Sequence, residues 1–279
     1  MRFIGLAGLL VLGGCTAVVD QGSLFPEMAL SGQPPALVPP PGYTLDERML
    51  DLPGLGQVHA VRMTRPGSVG TLLYSGGNGS FVRTSGERFA RLAAMTGADI
   101  VAYDYPGRGG TTVPARVDAL IAMGPALRAA FGAAGWVKPG PVWAYGFSLG
   151  GAPASNIAAA GGVTGLVLEA TAADIPAVGR NMVPGMLRPF VRIEVADDLK
   201  RYDYQGYVVR ARVPVLLVVG RDDRTVDAKT VTRFSETLKA AGVDATLVTV
   251  PGGHGDAIDG DAGVTAVRGF LARTGGGVS

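Results

Sequence analysis

Short apolar runs and longer mixed stretches alternate through most of this chain. Val58-His59-Ala60-Val61-Arg62 alternates as a half-buried strand does, and Thr71-Leu72-Leu73-Tyr74 supplies a second strand. Ile100–Tyr103, Pro141–Tyr145, Gly165–Leu168, Pro214–Val219 and Thr246–Val250 follow as compact apolar runs, the pattern of strands covered on both faces. Between them the spacing predicts helices over Phe81–Met95, closed by Gly97, and over Val113–Phe131, in spite of Pro125. Further helices are expected over Leu149–Ala160, Ala228–Ala241 and Ala257–Ala272. Strands separated by helices imply right-handed crossovers, and so an α/β fold with a mostly parallel, doubly wound sheet.

In such sheets ligands gather at the carboxyl ends of the strands. This chain places its unusual residues there. Tyr74 runs into Ser75-Gly76-Gly77-Asn78-Gly79, and Tyr103 into Asp104-Tyr105-Pro106-Gly107-Arg108-Gly109. Val219 runs into Gly220-Arg221-Asp222-Asp223-Arg224, and Val250 into Pro251-Gly252-Gly253-His254-Gly255. The most telling element is Gly146-Phe147-Ser148-Leu149-Gly150, which closes one predicted strand and opens a helix. A serine on so tight a turn needs neighbours two residues away that carry almost no side chain. Its hydroxyl then stands at a helix N-terminus, where free N–H groups favour a developing oxyanion.

Over residues 43–279 the order of these loops resembles the α/β-hydrolase fold family, with serine first, acid second and histidine last. The resemblance implies Ser148 as nucleophile and His254 as base. His59, the other histidine, sits in an early strand and is expected to be a surface residue. Asp222 and Asp223 are both candidates for the acid, and the family's Gly-x-x-Asp-x-x-Val pattern fits Asp223, leaving Asp222 as a solvated turn residue. Glu169, at the end of the preceding strand, is an outside candidate whose alternative is a carboxylate paired with backbone. For the oxyanion hole the resemblance implies the Leu149 amide and an amide after Tyr74, that of Asn78 or else of Gly77. Relatives carry a histidine where this chain has Gly76.

About forty residues, 171–210, interrupt the strand pattern where this family carries a cap. Met182, Val183, Met186, Leu187, Phe190 and Val191 recur there at helical spacing, with Arg180, Arg188 and Arg192 between them. A short helical cap with an apolar roof suits lipid-like esters, and an amphipathic helix packed on the core suits the same pattern. The expected activity is hydrolysis of carboxylic esters or thioesters. A peptidase of the aminopeptidase type, with Glu194, Asp197 and Asp198 as an amine site, is one alternative; a non-catalytic binding lipoprotein on the same fold is the other.

Composition narrows this reading. Of 279 residues, 47% are apolar and 17% charged, enough for a large core, and the net charge of +2 offers no basic patch for nucleic acid. Two histidines and one cysteine assemble no usual transition-metal site, so neither metal nor other cofactor is expected. Met1-Arg2 and the apolar run Phe3–Leu12 read as an export signal. They lead into Leu12-Gly13-Gly14-Cys15, which resembles a bacterial lipobox. That resemblance implies a lipidated Cys15 and residence in the cell envelope, in the outer membrane facing the periplasm, since Thr16 stands where an inner-membrane retention aspartate would be. The alternative is an uncleaved anchor over Phe3–Val19. Residues 1–14 are thus read as signal, 15–42 as a proline-rich tether and 43–279 as the hydrolase domain.

Overall fold

The computed structural model describes residues 15–24 and 35–276. The expected signal segment, residues 1–14, and residues 25–34 of the expected tether lie outside the described residues. In chain order the elements are β1 (Cys15–Val19), α1 (Gln21–Leu24), β2 (Thr44–Leu52), β3 (Gly56–Thr64), β4 (Thr71–Ser75), α2 (Gly86–Thr96) and β5 (Asp99–Tyr103). Then come α3 (Val117–Ala133), β6 (Val142–Phe147), α4 (Gly151–Ala159), β7 (Gly165–Glu169), α5 (Ile175–Met182) and β8 (Val191–Val195). The chain ends with α6 (Asp197–Lys200), α7 (Tyr204–Ala211), β9 (Val215–Gly220), α8 (Ala228–Ala240), β10 (Ala245–Val250) and α9 (Asp261–Gly275).

Eight strands form one sheet in the order β2-β3-β5-β4-β6-β7-β9-β10. All neighbours are parallel except at β3, which is antiparallel to both β2 and β5. Successive residues of each central strand feed opposite faces, and each face has its own core. Leu73, Val101, Ala144, Leu166 and Leu217 meet α3, α4, α7 and α8 on one side. Leu72, Ile100, Trp143, Val167 and Leu216 meet α2 and α9 on the other.

Helices α2 and α3 follow their sequence signals. Gly97 ends α2 in the left-handed conformation (φ 64°), as a C-terminal glycine should. Helix α3 runs unbroken through Pro125, which has no N–H to give the carbonyl of Ile121. Asn156 of α4 supplies the missing donor: its side-chain amide reaches the carbonyls of Ile121 (2.8 Å) and Leu120 (3.3 Å). Gly124 leaves room for it, since a Cβ there would lie 2.4 Å from the Asn156 amide carbon.

In the cap the helical expectation over 182–191 fails. Helix α5 stops at Met182, a 3₁₀ turn covers Arg188–Phe190, and Val191 begins β8. Pro184 and Pro189 interrupt the helical ladder, and Gly185 between them weakens it further. Strand β8 pairs in parallel with β1, Cys15 beside Val191 and Val19 beside Val195, so the first residues of the expected tether are held by the cap. Helix α7, also within residues 171–210, instead buries Val208 in the main core.

His59 is another correction. It is buried, not on the surface, and bridges two carboxylates: Nδ1 to Asp104 Oδ2 (2.6 Å) and Nε2 to Glu47 Oε1 (2.7 Å). Glu47 comes from β2, the antiparallel strand whose charged sequence concealed it, and also accepts from Arg83. Asp104 Oδ1 accepts from the backbone N–H of Val82. The Asp104 hydrogen bond raises the His59 pKa and outweighs the opposing effect of burial, with Glu47 adding to the rise. A raised folded-state value means that His59 stabilises the fold fully below its unfolded pKa of about 6.5, and that this contribution is lost as pH climbs through the folded value. Unfolding free energy should therefore fall as pH rises above about 6.5 in urea titrations of the native chain. His59→Gln should flatten that slope and cost about 3 kcal/mol at pH 6.

Candidate active site

The pentapeptide folds into the strand-to-helix turn that its glycines suggest. Ser148 sits at φ 53°, in the left-handed region, as the first residue after β6 and of the 3₁₀ turn (Ser148–Gly150) that leads into α4. A Cβ on Gly146 would lie 2.4 Å from the Gly150 carbonyl oxygen, and one on Gly150 would lie 2.1 Å from that of Ser75. Both contacts are to backbone, so no side-chain adjustment relieves them. The turn is strained and tightly enclosed.

Two loops bring the partners of Ser148 together. Asp223 follows β9 and His254 follows β10, and these loops are stitched by backbone bonds from Arg221 to Val250 (2.7 Å) and from Asp222 to Gly252 (3.0 Å). Gly220 permits the crossing, because a Cβ there would meet the Gly252 oxygen at 2.3 Å. His254 then lies between positive-φ glycines 252 and 255, with Nε2 3.0 Å from Ser148 Oγ and Nδ1 2.8 Å from Asp223 Oδ2. Asp223 is buried, and its other oxygen accepts from the N–H groups of Thr225 and Val226, both at 2.8 Å. Asp222 is exposed. The structure thus brings Asp223, not its neighbour, to the histidine.

Glu169 serves elsewhere. It is fully buried at the end of β7 and binds side chains rather than backbone, accepting from the Tyr145 hydroxyl (2.6 Å) and from the Arg88 guanidinium. Burial works against the Arg88 cation, yet the adjacent Glu169 overrides it and raises its pKa. Burial pushes the Tyr145 hydroxyl well above its ordinary value, and the Glu169 charge pushes further. Arg88 also lies 4.8 Å over the Phe147 ring, and Phe147 in turn packs 5.2 Å from the His254 ring. A buried ion pair therefore underlies the aromatic wall against which the imidazole rests.

Gly77 brings its backbone against the nucleophile, for a Cβ there would lie 3.6 Å from Ser148 Cβ and 3.1 Å from the Phe147 ring. The Gly77–Asn78 peptide is consequently beside Ser148. It is gripped from behind by the loop after β5, which the sequence marked only as a turn. Arg108, almost fully buried, donates to the Asn78 carbonyl and to Asn78 Oδ1 (2.9 Å). The Tyr105 hydroxyl donates to the Gly76 carbonyl. An arginine inside a Gly-x-Gly turn is the only sequence trace of this clamp. Among the described residues no cluster of His, Cys, Asp and Glu could hold a metal ion.

The fold superposes on solved structures of esterases. An esterase of Pyrococcus furiosus superposes with a TM-score of 0.66 at 18% identity, over 88% of this chain and all of that one. A Pyrobaculum calidifontis esterase gives 0.59 at 21% identity, over 84% and 85% of the two chains. This is the α/β-hydrolase fold. A Mycobacterium tuberculosis puromycin-hydrolysing peptidase shares it, with a TM-score of 0.56 and 17% identity over 82% of this chain and 38% of that one. By sequence, the chain is 29% identical over 215 residues to uncharacterised proteins of two Mycobacterium tuberculosis strains, covering 76% of this chain and 73% of theirs. No family model matches it.

Gly150→Ala should be among the most disruptive single-methyl changes in the molecule. An expected loss of about 3 kcal/mol or more, read from urea unfolding, follows from backbone that cannot retreat. A variant as stable as the native chain would mean that the turn relaxes freely.

Proposed function

We propose that this chain is a serine hydrolase that cleaves carboxylic ester or thioester bonds through an acyl-enzyme. The observation that carries the reading is the continuous Ser148–His254–Asp223 hydrogen-bond chain, at 3.0 and 2.8 Å, ending on a serine raised by a strained turn. With Nδ1–H directed at Asp223, the Nε2 lone pair faces the Ser148 hydroxyl. Ser148 Oγ attacks the carbonyl carbon as its proton passes to Nε2. The negative charge moves to the carbonyl oxygen, which the amides of Leu149 and Asn78 receive. Asp223 stabilises the imidazolium. As the tetrahedral species collapses, Nε2 returns its proton to the departing alkoxide or thiolate. Water then attacks the acyl-enzyme by the same route, releasing the acid and restoring Ser148.

The reading favours esters over peptides because two of the three acids that could recognise a free amine already hold a cation. Glu194 pairs with Arg192 at 3.3 Å and Asp197 with Lys200 at 2.7 Å. The N-terminal reading belongs to the same proposal: Cys15, free and exposed, carries the lipid that holds the domain on the envelope membrane.

Ser148→Ala should lower turnover of p-nitrophenyl esters, tested from acetate to palmitate, by at least about a thousandfold and abolish fluorophosphonate labelling. Labelling that survives in this variant would refute the nucleophile. A native chain inert to every ester and to the probe would favour the binding-protein alternative.

Arg108 gives a second test. Loosening its hold on Asn78 should misplace an oxyanion donor without touching the substrate. Arg108→Ala is expected to cut kcat about a hundredfold with KM nearly unchanged. Unchanged kcat would remove the clamp from the mechanism.

A further inference from the structure

Half of the large apolar side chains left exposed among the described residues sit in one short stretch of the cap. Met182, Met186, Leu187 and Phe190 are between 45% and 87% exposed, whereas the others (Val18, Val38, Met49 and Val69) are scattered. The stretch is ordered from within: the Arg188 guanidinium donates to the carbonyls of Val183 and Asn181, both at 2.9 Å. From Ile175 to Ile193 the chain carries three arginines and no acid. Arg180 and Arg192 are exposed, and Arg192 keeps its solvent contact while pairing with Glu194 at 3.3 Å. Exposed apolar groups interleaved with arginines fit the interface of a bilayer that contains anionic phospholipid.

The N-terminus independently points to the same occupant. Strand β1 pairs with β8 so that Cys15 stands beside Val191, the residue after Phe190. Cys15, the residue proposed above to carry the lipid, therefore stands at the border of this patch. We infer that the cap face formed by Met182, Met186, Leu187 and Phe190, with Arg180 and Arg192, docks into the headgroup region of an anionic bilayer. The domain lies cap-down on the membrane rather than standing off on its tether. Asn181 donates to the Thr225 carbonyl in the loop that carries Asp223, so the docked face adjoins the candidate site. An ester dissolved in the bilayer would then reach Ser148 without crossing bulk water.

This inference rests on the membrane attachment proposed above but not on the hydrolase activity. The test uses full-length chain on phosphatidylcholine–phosphatidylglycerol vesicles with brominated acyl chains. The native tryptophans, Trp136 and Trp143, are buried and give a constant background. Tryptophan is introduced by Met186→Trp or Phe190→Trp in the cap, and by Val69→Trp just before β4, at the opposite end of the strands. Vesicle flotation is scored separately. The expected result is quenching of the Met186→Trp and Phe190→Trp signals by more than about half, none for Val69→Trp, and weaker quenching after Arg180→Glu with Arg192→Glu. Flotation with water-exposed emission at both cap positions would leave a tethered domain and overturn the docking face. Blue-shifted emission without quenching would mean that protein covers the face, a second copy or another chain, and would overturn it too. Failure to float would remove both attachment and docking. None of these readouts involves turnover, so the Ser148 reading stands or falls on its own.

Discussion

Strand β6 and helix α4 can meet at the angle that raises Ser148 only if the backbone around them carries no side chains. Gly146 and Gly150 allow it: one faces the backbone of the turn itself, the other the backbone at the end of β4. A methyl at either point would collide with atoms fixed by the sheet. The left-handed serine is thus a consequence of close packing, and the surrounding ladder supplies the energy that holds its strain. The same contact brings the end of β4, and with it the Gly77–Asn78 peptide, beside the nucleophile. One packing constraint therefore positions both the attacking hydroxyl and the region where the oxyanion forms.

The rest of the site is built on the same economy of backbone against backbone. The acid and histidine loops are joined through Gly220, Gly252 and two main-chain hydrogen bonds, so Asp223 and His254 move as one unit. Charge enters only beneath the surface. Arg88 and Glu169 form a buried pair whose desolvation is costly and whose mutual attraction offsets that cost. Their return is rigidity, since Phe147 lies between Arg88 and the imidazole.

What the sequence reveals follows from what it encodes locally. The strands buried on both faces are legible because their middles are apolar, with Thr71, Ser75, Asp99 and Glu169 standing only at their ends, and Ser148, Asp223 and His254 because their loops contain glycines with few other uses. His59 was misread because its burial depends on Glu47 and Asp104, which lie on other elements and neutralise it only after folding. Strand β2 hid behind Asp46, Glu47 and Arg48, tolerable on an edge. Glu169 was expected to meet backbone because Arg88 lies 81 residues away. In the cap, periodicity promised a helix that Pro184 and Pro189 forbid, and pairing of β8 with β1 could not be seen in either segment alone.

The proline in α3 has a consequence for how the molecule opens and closes. The carbonyl of Ile121 completes its bonding only when Asn156 arrives from α4, 35 residues further along. A helix that borrows a donor from its neighbour cannot persist when that neighbour detaches. Helices α3 and α4 are therefore one cooperative unit, and their amides near this junction exchange with solvent through a shared opening rather than by independent fraying.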